Sequence, residues 1–178
     1  MTLIGYRKGG IQVSQITFEE NYRQVYRDLY RFALYTLGNP QDAEDVVSDA
    51  VVDAYQSYGK LRNQEAFRAW IFKILTAKCK RKLKEYVNKT VELEESGLAQ
   101  EDREWTVEES QDVRDAFFTL SEEERLIISM SVFGGYNSKE IGKSLLIRDT
   151  TVRSKLSRAF DKMQKVLEGQ KGGAYEAG

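Results

Sequence analysis

Apolar residues recur at steps of three and four through most of the chain, which is the pattern of helices that bury one side. In the N-terminal half this pattern predicts three helices, at 17–37, from Pro40 to Gly59, and from about Glu65 to Tyr86. No stretch shows the period of two that a half-buried strand has. We therefore expect a compact three-helix bundle, with Trp70 packed in its core rather than stacked on a ligand.

The helical pattern fades between about Val87 and Ser110, where acidic residues accumulate and apolar residues are too few to build a core. It returns at Val113, and Ser121 with Glu124 forms a capping box for the next helix. The predicted fold class is all-α, with two small helical domains joined by an acidic flexible linker. The expected divisions are a flexible N-terminus (1–16), a first domain (17–89), the linker (90–111), a second domain (112–168) and a flexible tail (169–178).

A helix-turn-helix unit is predicted near the C-terminus. Ile141, Leu145, Ile147, Val152 and Leu156 have its apolar spacing, and Gly142 stands where only a small residue fits. The last helix, capped by Asp149 or Thr150, is expected to run to about Leu167 and to turn Ala159 or Phe160 inward. Its outward face is then polar and cationic. Such a face suits the major groove of DNA, but a plain solvated face explains it equally well at this point.

The composition narrows the possible functions. Histidine is absent, which excludes Ser-His-Asp catalysis and imidazole metal sites. The single cysteine, Cys79, cannot form an internal disulfide; the cations around it in sequence predict a lowered thiol pKa, although a lone thiol is more often incidental. No apolar run approaches the roughly 18 residues of a membrane span. The first residues lack the apolar region of a signal peptide, so we expect a cytoplasmic protein.

The net charge of −1 conceals a strong partition along the chain. Residues 17–58 carry eight acids and three bases, whereas residues 60–89 carry ten bases and two acids. Residues 90–112 carry nine acids and one base, and residues 134–165 carry eight bases and three acids. Two basic segments separated by an acidic one predict a polyanion held at two places.

The segment LSEEERLIISMSVFGGYNSKEIGKSLLIRDTTVRSKLSRAF resembles the C-terminal DNA-reading domain of bacterial RNA polymerase sigma factors of the extracytoplasmic-function type. The similarity lies in Leu-Ser with its acidic cap, Glu-Ile-Gly, Thr-Val and Leu-Ser-Arg-Ala. It implies that the last helix reads the −35 promoter element. The turn departs from the family, which usually has glycine there. A left-handed Leu146 costs about 1 kcal/mol, so the turn is expected to differ.

The N-terminal half resembles the same family independently. PQDAEDVVSDAVVDAY is similar to the helix that docks on the clamp helices of the polymerase β′ subunit. FRAWIFKILTAKCKRKLKEY is similar to the helix that engages the −10 element, although Ala77 and Arg81 stand where the family commonly has Asn and Asp. The loop before it corresponds to one that captures a flipped base, which Asn63 and Gln64 can hydrogen-bond and on which Tyr58 can stack.

The resemblance assigns residues to three surfaces. Core polymerase binding is expected at Asp42, Asp45, Ser48 and Asp49. Binding of −10 DNA is expected at Tyr58, Lys60, Arg62, Asn63, Gln64, Arg68, Lys73, Lys80, Arg81 and Lys84. Binding of −35 DNA is expected at Lys139, Arg148, Thr150, Thr151, Arg153, Ser154, Lys155 and Arg158.

These assignments predict an alternative sigma factor without catalysis, cofactor, metal or membrane insertion. Its expected partners are core RNA polymerase (β′ clamp helices and β flap), promoter DNA and an anti-sigma protein. The basic segments are expected to face DNA and the acidic ones polymerase. Two rival hypotheses stay open: a dimeric helix-turn-helix regulator, and a carboxylate enzyme or metal site on the acidic helix that includes Asp53.

Overall fold

The computed structural model describes residues 16–96 and 111–173, and every regular element in these two ranges is helical. Two 3-10 turns, at 58–60 and 64–66, link the second and third helices. No helix in the described ranges is long and apolar enough to cross a membrane. The α-helices are α1 (Phe18–Leu37), α2 (Pro40–Ser57), α3 (Phe67–Ser96), α4 (Gln111–Phe118), α5 (Glu122–Val132), α6 (Ser138–Leu145) and α7 (Asp149–Gly173).

Local sequence signals set the ends of α1 and α2. Thr17 and Glu20 form a capping box, each side chain bonding the other's backbone N–H at the start of α1. Gly38 ends α1 in the left-handed conformation, with φ of 73°, which glycine adopts without a steric penalty. Asn39 then accepts a hydrogen bond from the backbone N–H of Asp42, and Pro40 occupies the first turn of α2.

The predicted three-helix bundle is confirmed. Leu29 and Phe32 of α1 and Ile71, Phe72 and Leu75 of α3 are completely buried. The rings of Phe32 and Phe72 meet edge to face with centroids 5.7 Å apart, a favoured aromatic arrangement. Trp70 is half-buried and packs against this core, as predicted.

The C-terminal half is assembled by the same devices. Ser121 with Glu124 forms the predicted capping box of α5, and Asn137 with Glu140 forms another at α6. A β-carbon added to Gly142 would lie 2.7 Å from the carbonyl oxygen of Ile147. The close approach predicted at Gly142 is therefore present, and it lets the turn after α6 fold back on that helix.

The two halves pack directly on each other through α1 and α5. The ring of Tyr35 lies 4.5 Å from that of Phe117 and 5.5 Å from that of Phe133, measured between centroids. Arg125 donates to the carbonyl oxygen of Thr36. Buried hydrophobic residues of both halves thus belong to one continuous cluster.

Several helix limits differ from the predictions; α2 ends at Ser57 and α3 begins at Phe67, each two residues from the predicted limit, and the limits of α3 and α7 described next also differ. α3 continues to Ser96, ten residues past Tyr86, because the sequence between them contains no glycine or proline. α7 continues to Gly173, beyond Leu167. It already includes Asp149, which lies in the first turn and is not a cap. The predictions for residues 1–15, 97–110 and 174–178 fall outside the described residues.

Candidate nucleic-acid and protein-binding surfaces

The residues predicted to bind polymerase share one side of α2. Asp45, Ser48 and Asp49 are exposed, whereas the side chain of Asp42 is only 19% exposed. Asp42 accepts a hydrogen bond from the hydroxyl of Tyr86 and forms an ion pair with Lys82, whose Nζ lies 3.1 Å from Oδ1. Asp42 therefore connects α2 to α3, and the accessible part of the predicted polymerase surface is formed by Asp45, Ser48 and Asp49.

A set of lysines on α3 faces α2 and neutralises part of its charge. Lys78 Nζ lies 2.7 Å from the carboxylate of Asp53 and 4.0 Å from that of Asp49. The hydrogen bond to Asp42 raises the pKa of Lys82, and burial together with Asp42 raises the pKa of Tyr86. The expectation that the basic segment faces DNA as a whole is therefore wrong, because two of its lysines hold the bundle together.

The loop at residues 58–64, predicted to capture a base, contains an internal hydrogen-bond network. The Tyr58 hydroxyl donates to the carbonyl oxygen of Ile16 or to Gln64 Oε1, at 2.7 and 2.6 Å. Asn21 of α1 donates to both Tyr58 and Gln64. Because the polar atoms of Tyr58 and Gln64 already have partners, a base entering this loop must exchange its own hydrogen bonds for theirs.

The rest of the loop is more accessible. Lys60, Arg62 and Asn63 are exposed. Asn63 Oδ1 accepts the backbone N–H of Glu65 at the second 3-10 turn, which leaves the amide N–H groups of the side chain directed away from that bond. Asn63 is thus the residue of the loop best able to meet a base without first losing a contact.

The other −10 candidates on α3 divide into two groups. Lys73, Arg81 and Lys84 are exposed. Arg68 donates to Asp28 and to the carbonyl oxygen of Phe133, and Lys80 donates to that of Ser144 at 2.8 Å, so both bind the C-terminal half. Phosphates can reach the first group directly, whereas the second is engaged by another part of the chain.

The helix-turn-helix residues form a largely exposed surface at the start of α7. Val152 and Ala159 are buried beneath it, and Phe160 is 47% exposed, so Ala159 is the inward residue. Thr151 is half-buried. Lys155 Nζ lies 2.7 Å from the carboxylate of Glu123, so its charge is paired and its side chain is only partly exposed. The exposed candidates are Lys139, Arg148, Thr150, Arg153, Ser154 and Arg158.

A shallow groove runs along this surface between Arg153 and Arg158, and Ser157 lines it with them. Ser157 is exposed and lies one helical turn after Arg153. The sequence predictions omitted Ser157, although this spacing, which places it on the same side of α7, was the available signal.

Leu146 adopts the left-handed conformation at the turn, with φ of 59° and ψ of 38°, and its side chain is 92% exposed. The turn thus adopts the left-handed conformation that Leu146 was expected to avoid. Its N–H caps α6 by donating to the carbonyl oxygen of Gly142.

The prediction of a lowered pKa for Cys79 is wrong. Its thiol is completely buried, and burial raises the pKa to about 12. Its sequence neighbours Lys78 and Lys80 point to other partners, Asp53 and Ser144.

Among the described residues there is also no group of three or more acidic or cysteine side chains arranged to hold a metal ion.

Comparisons with known proteins agree with this arrangement. A family model of Sigma-70 region 2 matches residues 21–87, and one of Sigma-70 region 4 matches residues 110–163. The ECF RNA polymerase sigma factor SigM of Mycobacterium tuberculosis is 27% identical over 84% of this chain and 76% of its own. The chain belongs to the extracytoplasmic-function type of the sigma-70 family. As a member, it is an alternative sigma factor that directs transcription initiation, in a family of non-enzymatic initiation factors.

A second sequence relative and a solved structure extend the comparison. SigW of Bacillus subtilis is 24% identical over 80% of this chain and 85% of its own. The sigma factor RpoE of Bartonella quintana, solved with the anti-sigma factor NepR, matches 85% of this chain and 96% of its own with a TM-score of 0.66 and 21% identity. The solved structure shows that the all-α fold is shared with a sigma factor.

Proposed function

We propose that this sigma factor binds core polymerase through the exposed side of α2 and reads two promoter elements with its two halves. The first domain (17–89) takes the −10 element, the second domain (112–168) takes the −35 element, and residues 90–111 link them. Asp45, Ser48 and Asp49 make the polymerase contact, and Asp42 positions the helix that carries them.

One observation carries the proposal. A single chain presents an exposed acidic side on α2, exposed cations on α3, and an exposed Arg-Ser-Arg surface on α7 above a helix-turn-helix core. A regulator that only bound an operator would need the last of these. The acidic side of α2 repels DNA phosphates, so its natural partner is a protein.

The roles within DNA binding follow from chemistry and exposure. Arg153 and Arg158 suit the acceptor edges of guanine, and Thr150 and Ser154 suit phosphates or base edges. Lys73, Arg81 and Lys84 supply phosphate contacts, each a salt-sensitive increment of affinity. Asn63 accepts the unpaired base, and Tyr58 and Gln64 join after releasing their internal hydrogen bonds.

We further propose an anti-sigma protein as a partner. The solved relatives include a sigma factor bound to NepR and CnrH bound to the cytosolic domain of CnrY.

The chain catalyses no reaction, uses no cofactor or metal, and acts in the cytoplasm, where transcription takes place.

The test is reconstitution with core polymerase, followed by run-off transcription from promoters mapped by transcription-start sequencing after overexpression. We expect the chain to be retained by core polymerase and to start transcription at discrete sites. Asp45→Asn should weaken retention, and Asp161→Asn, which changes an exposed acid on α7, is the control. A chain that binds duplex DNA as a dimer but is not retained by core polymerase would contradict the proposal.

A further inference from the structure

The outward side of α1 carries a row of arginines that no surface described above includes. Arg23, Arg27 and Arg31 follow one another at steps of four, so they lie on one side of the helix about 6 Å apart along its axis. Arg23 and Arg27 are exposed and Arg31 is half-buried. They line one shallow depression together with Gln24, Tyr26 and Asp28.

The charge of this row is positive despite the acidic composition of its segment. The three arginines are all the bases in residues 17–58, and five of the eight acids there belong to α2. Asp28 is the one acid that lines the depression, and it pairs with Arg68 of α3 at 3.0 Å. Glu19 and Glu20 lie one turn before Arg23 but do not line the depression, so three arginines and one acid give its lining a net positive charge, which favours an anion.

Aromatic rings connect this row to the loop at residues 58–64. The ring of Phe18 lies 5.4 Å from that of Tyr58 and 6.1 Å from that of Tyr22, centroid to centroid. Tyr22 lies 6.2 Å from Tyr26, which is 43% exposed. The guanidinium of Arg27 lies 5.8 Å from the centroid of the Tyr26 ring and donates to its hydroxyl at 3.1 Å.

Interleaved cations and exposed rings are the chemistry of single-stranded nucleic acid binding. Bases stack on the rings with little dependence on sequence, and guanidinium groups follow the phosphates. An acidic protein segment would use the arginines but would gain little from the exposed face of Tyr26. The aromatic rings connect the arginine row to the loop at residues 58–64. The row is therefore placed to bind the same DNA strand as the loop, next to the base that the loop holds.

We propose that Arg23, Tyr26, Arg27 and Arg31 form a second binding surface for unpaired DNA, which receives the nontemplate strand beside the base held by the loop at residues 58–64. This inference rests on the proposed −10 role of that loop. The arginines contact phosphates, and a base stacks on Tyr26.

The test measures binding of a fluorescein-labelled oligothymidylate to holoenzyme by anisotropy over a range of salt concentrations, with core polymerase alone subtracted. The double variant Arg23→Gln with Arg27→Gln should weaken binding roughly tenfold and reduce the salt slope by about 1.4. Tyr26→Ala should weaken it by about fivefold or more, whereas Tyr26→Phe should retain the affinity. The matched control is Lys143→Gln with Lys165→Gln, two exposed lysines outside this surface.

The outcomes separate the two proposals. Wild-type holoenzyme that fails in run-off transcription refutes the proposed function. Holoenzyme that initiates normally while both arginine and tyrosine variants bind the oligonucleotide like the control refutes only this inference. The variants could instead lose retention by core polymerase while each retained complex binds the oligonucleotide as before. That result would assign the surface to a protein partner and would also overturn this inference.

Discussion

Leu146 combines a conformation that costs free energy with a side chain that gains almost none by burial. The left-handed region places the β-carbon of an ordinary residue close to its own carbonyl oxygen, at a cost of about 1–2 kcal/mol. At 92% exposure the leucine side chain offsets little of this cost. The strain is tolerated because the Leu146 N–H caps α6 and the backbone approaches Gly142 closely on the other side of the turn.

Leu146→Gly should therefore stabilise the protein. The expected gain in the free energy of unfolding is about 0.5–1 kcal/mol, since relief of the strain exceeds the extra entropy of glycine in the unfolded chain. Urea denaturation measures it. Leu146→Ala, which keeps the β-carbon, is the matched control and should show no gain; an equal gain for both variants would show that the backbone is not strained.

At the scale of elements, Asp42 and Asp45 separate helix packing from partner binding. Asp42→Asn removes the charge that Lys82 and Tyr86 share across the α2–α3 contact, and should lower the free energy of unfolding by about 1–3 kcal/mol. Asp45→Asn changes an exposed side chain and should alter stability by less than about 0.5 kcal/mol while weakening polymerase retention. Urea denaturation measures stability, and a pull-down measures retention. If Asp45→Asn destabilised the protein and Asp42→Asn only weakened retention, the two roles would be assigned the other way round.

Glu124 links two elements and gives stability a dependence on pH. Its carboxylate accepts from Lys162 Nζ of α7 at 2.7 Å and from the Ser121 N–H at the start of α5, and the hydrogen bond from Lys162 is the main cause of its lowered pKa. A lowered folded pKa means that the contribution is complete above the unfolded value, near 4.3, and disappears as the pH falls through the folded value.

Glu124→Gln keeps the capping box but loses the ion pair, so it should cost up to about 1 kcal/mol at pH 7. The difference between wild type and variant should begin to shrink below the unfolded pKa, near 4.3, where Glu124 of the unfolded chain takes up a proton, and should disappear once the pH has fallen through the lower folded pKa. Urea denaturation at neutral and acidic pH measures both differences. Lys162→Gln should give the same convergence, and a difference that persists in acid would exclude the ion pair as its source.

The predictable part of the structure was the part encoded locally. Helix periodicity and the capping box of Ser121 act within a few residues, so the sequence alone predicts the elements and the inward side of most of them. The caps at Thr17 and Asn39 are equally local, but they were not predicted. Cys79 shows the limit of prediction from local sequence. Lys78 and Lys80 adjoin it in sequence but project to other sides of α3, so burial rather than the neighbouring cations determines its pKa.

The sequence predicted which kinds of residue form the candidate surfaces, but not which of those side chains are free of contacts within the protein. The sequence identifies the polar side of each helix, yet it does not show that Lys82 turns to α2 or that Arg68 and Lys80 turn to the C-terminal half. These are pairings between residues distant in sequence, set by how the helices cross. The arginine row on α1 was hidden for a related reason, because a charge sum over residues 17–58 averages α1 with the acidic α2.

At the scale of the whole molecule, the main consequence is the contact between the two halves. Two of the ten residues predicted to bind −10 DNA donate to backbone carbonyls of the C-terminal half, and the Tyr35 ring forms a cluster with those of Phe117 and Phe133. DNA that engages Arg68 and Lys80 must displace these contacts. Tyr35 has no part in the proposed DNA surfaces, so it can be altered to test the packing separately.

Tyr35→Ala should release the C-terminal half. Removing a buried aromatic side chain costs about 3–5 kcal/mol, and here the loss falls on rings that join α1 to α4 and the end of α5. The radius of gyration from small-angle scattering should rise while far-ultraviolet circular dichroism keeps its helical signal; Tyr35→Phe preserves the ring and should change neither. Tyr35→Leu retains most of the volume and serves if the alanine variant unfolds. An unchanged radius in a folded variant would mean that the remaining α1–α5 contacts hold the halves together without this ring cluster.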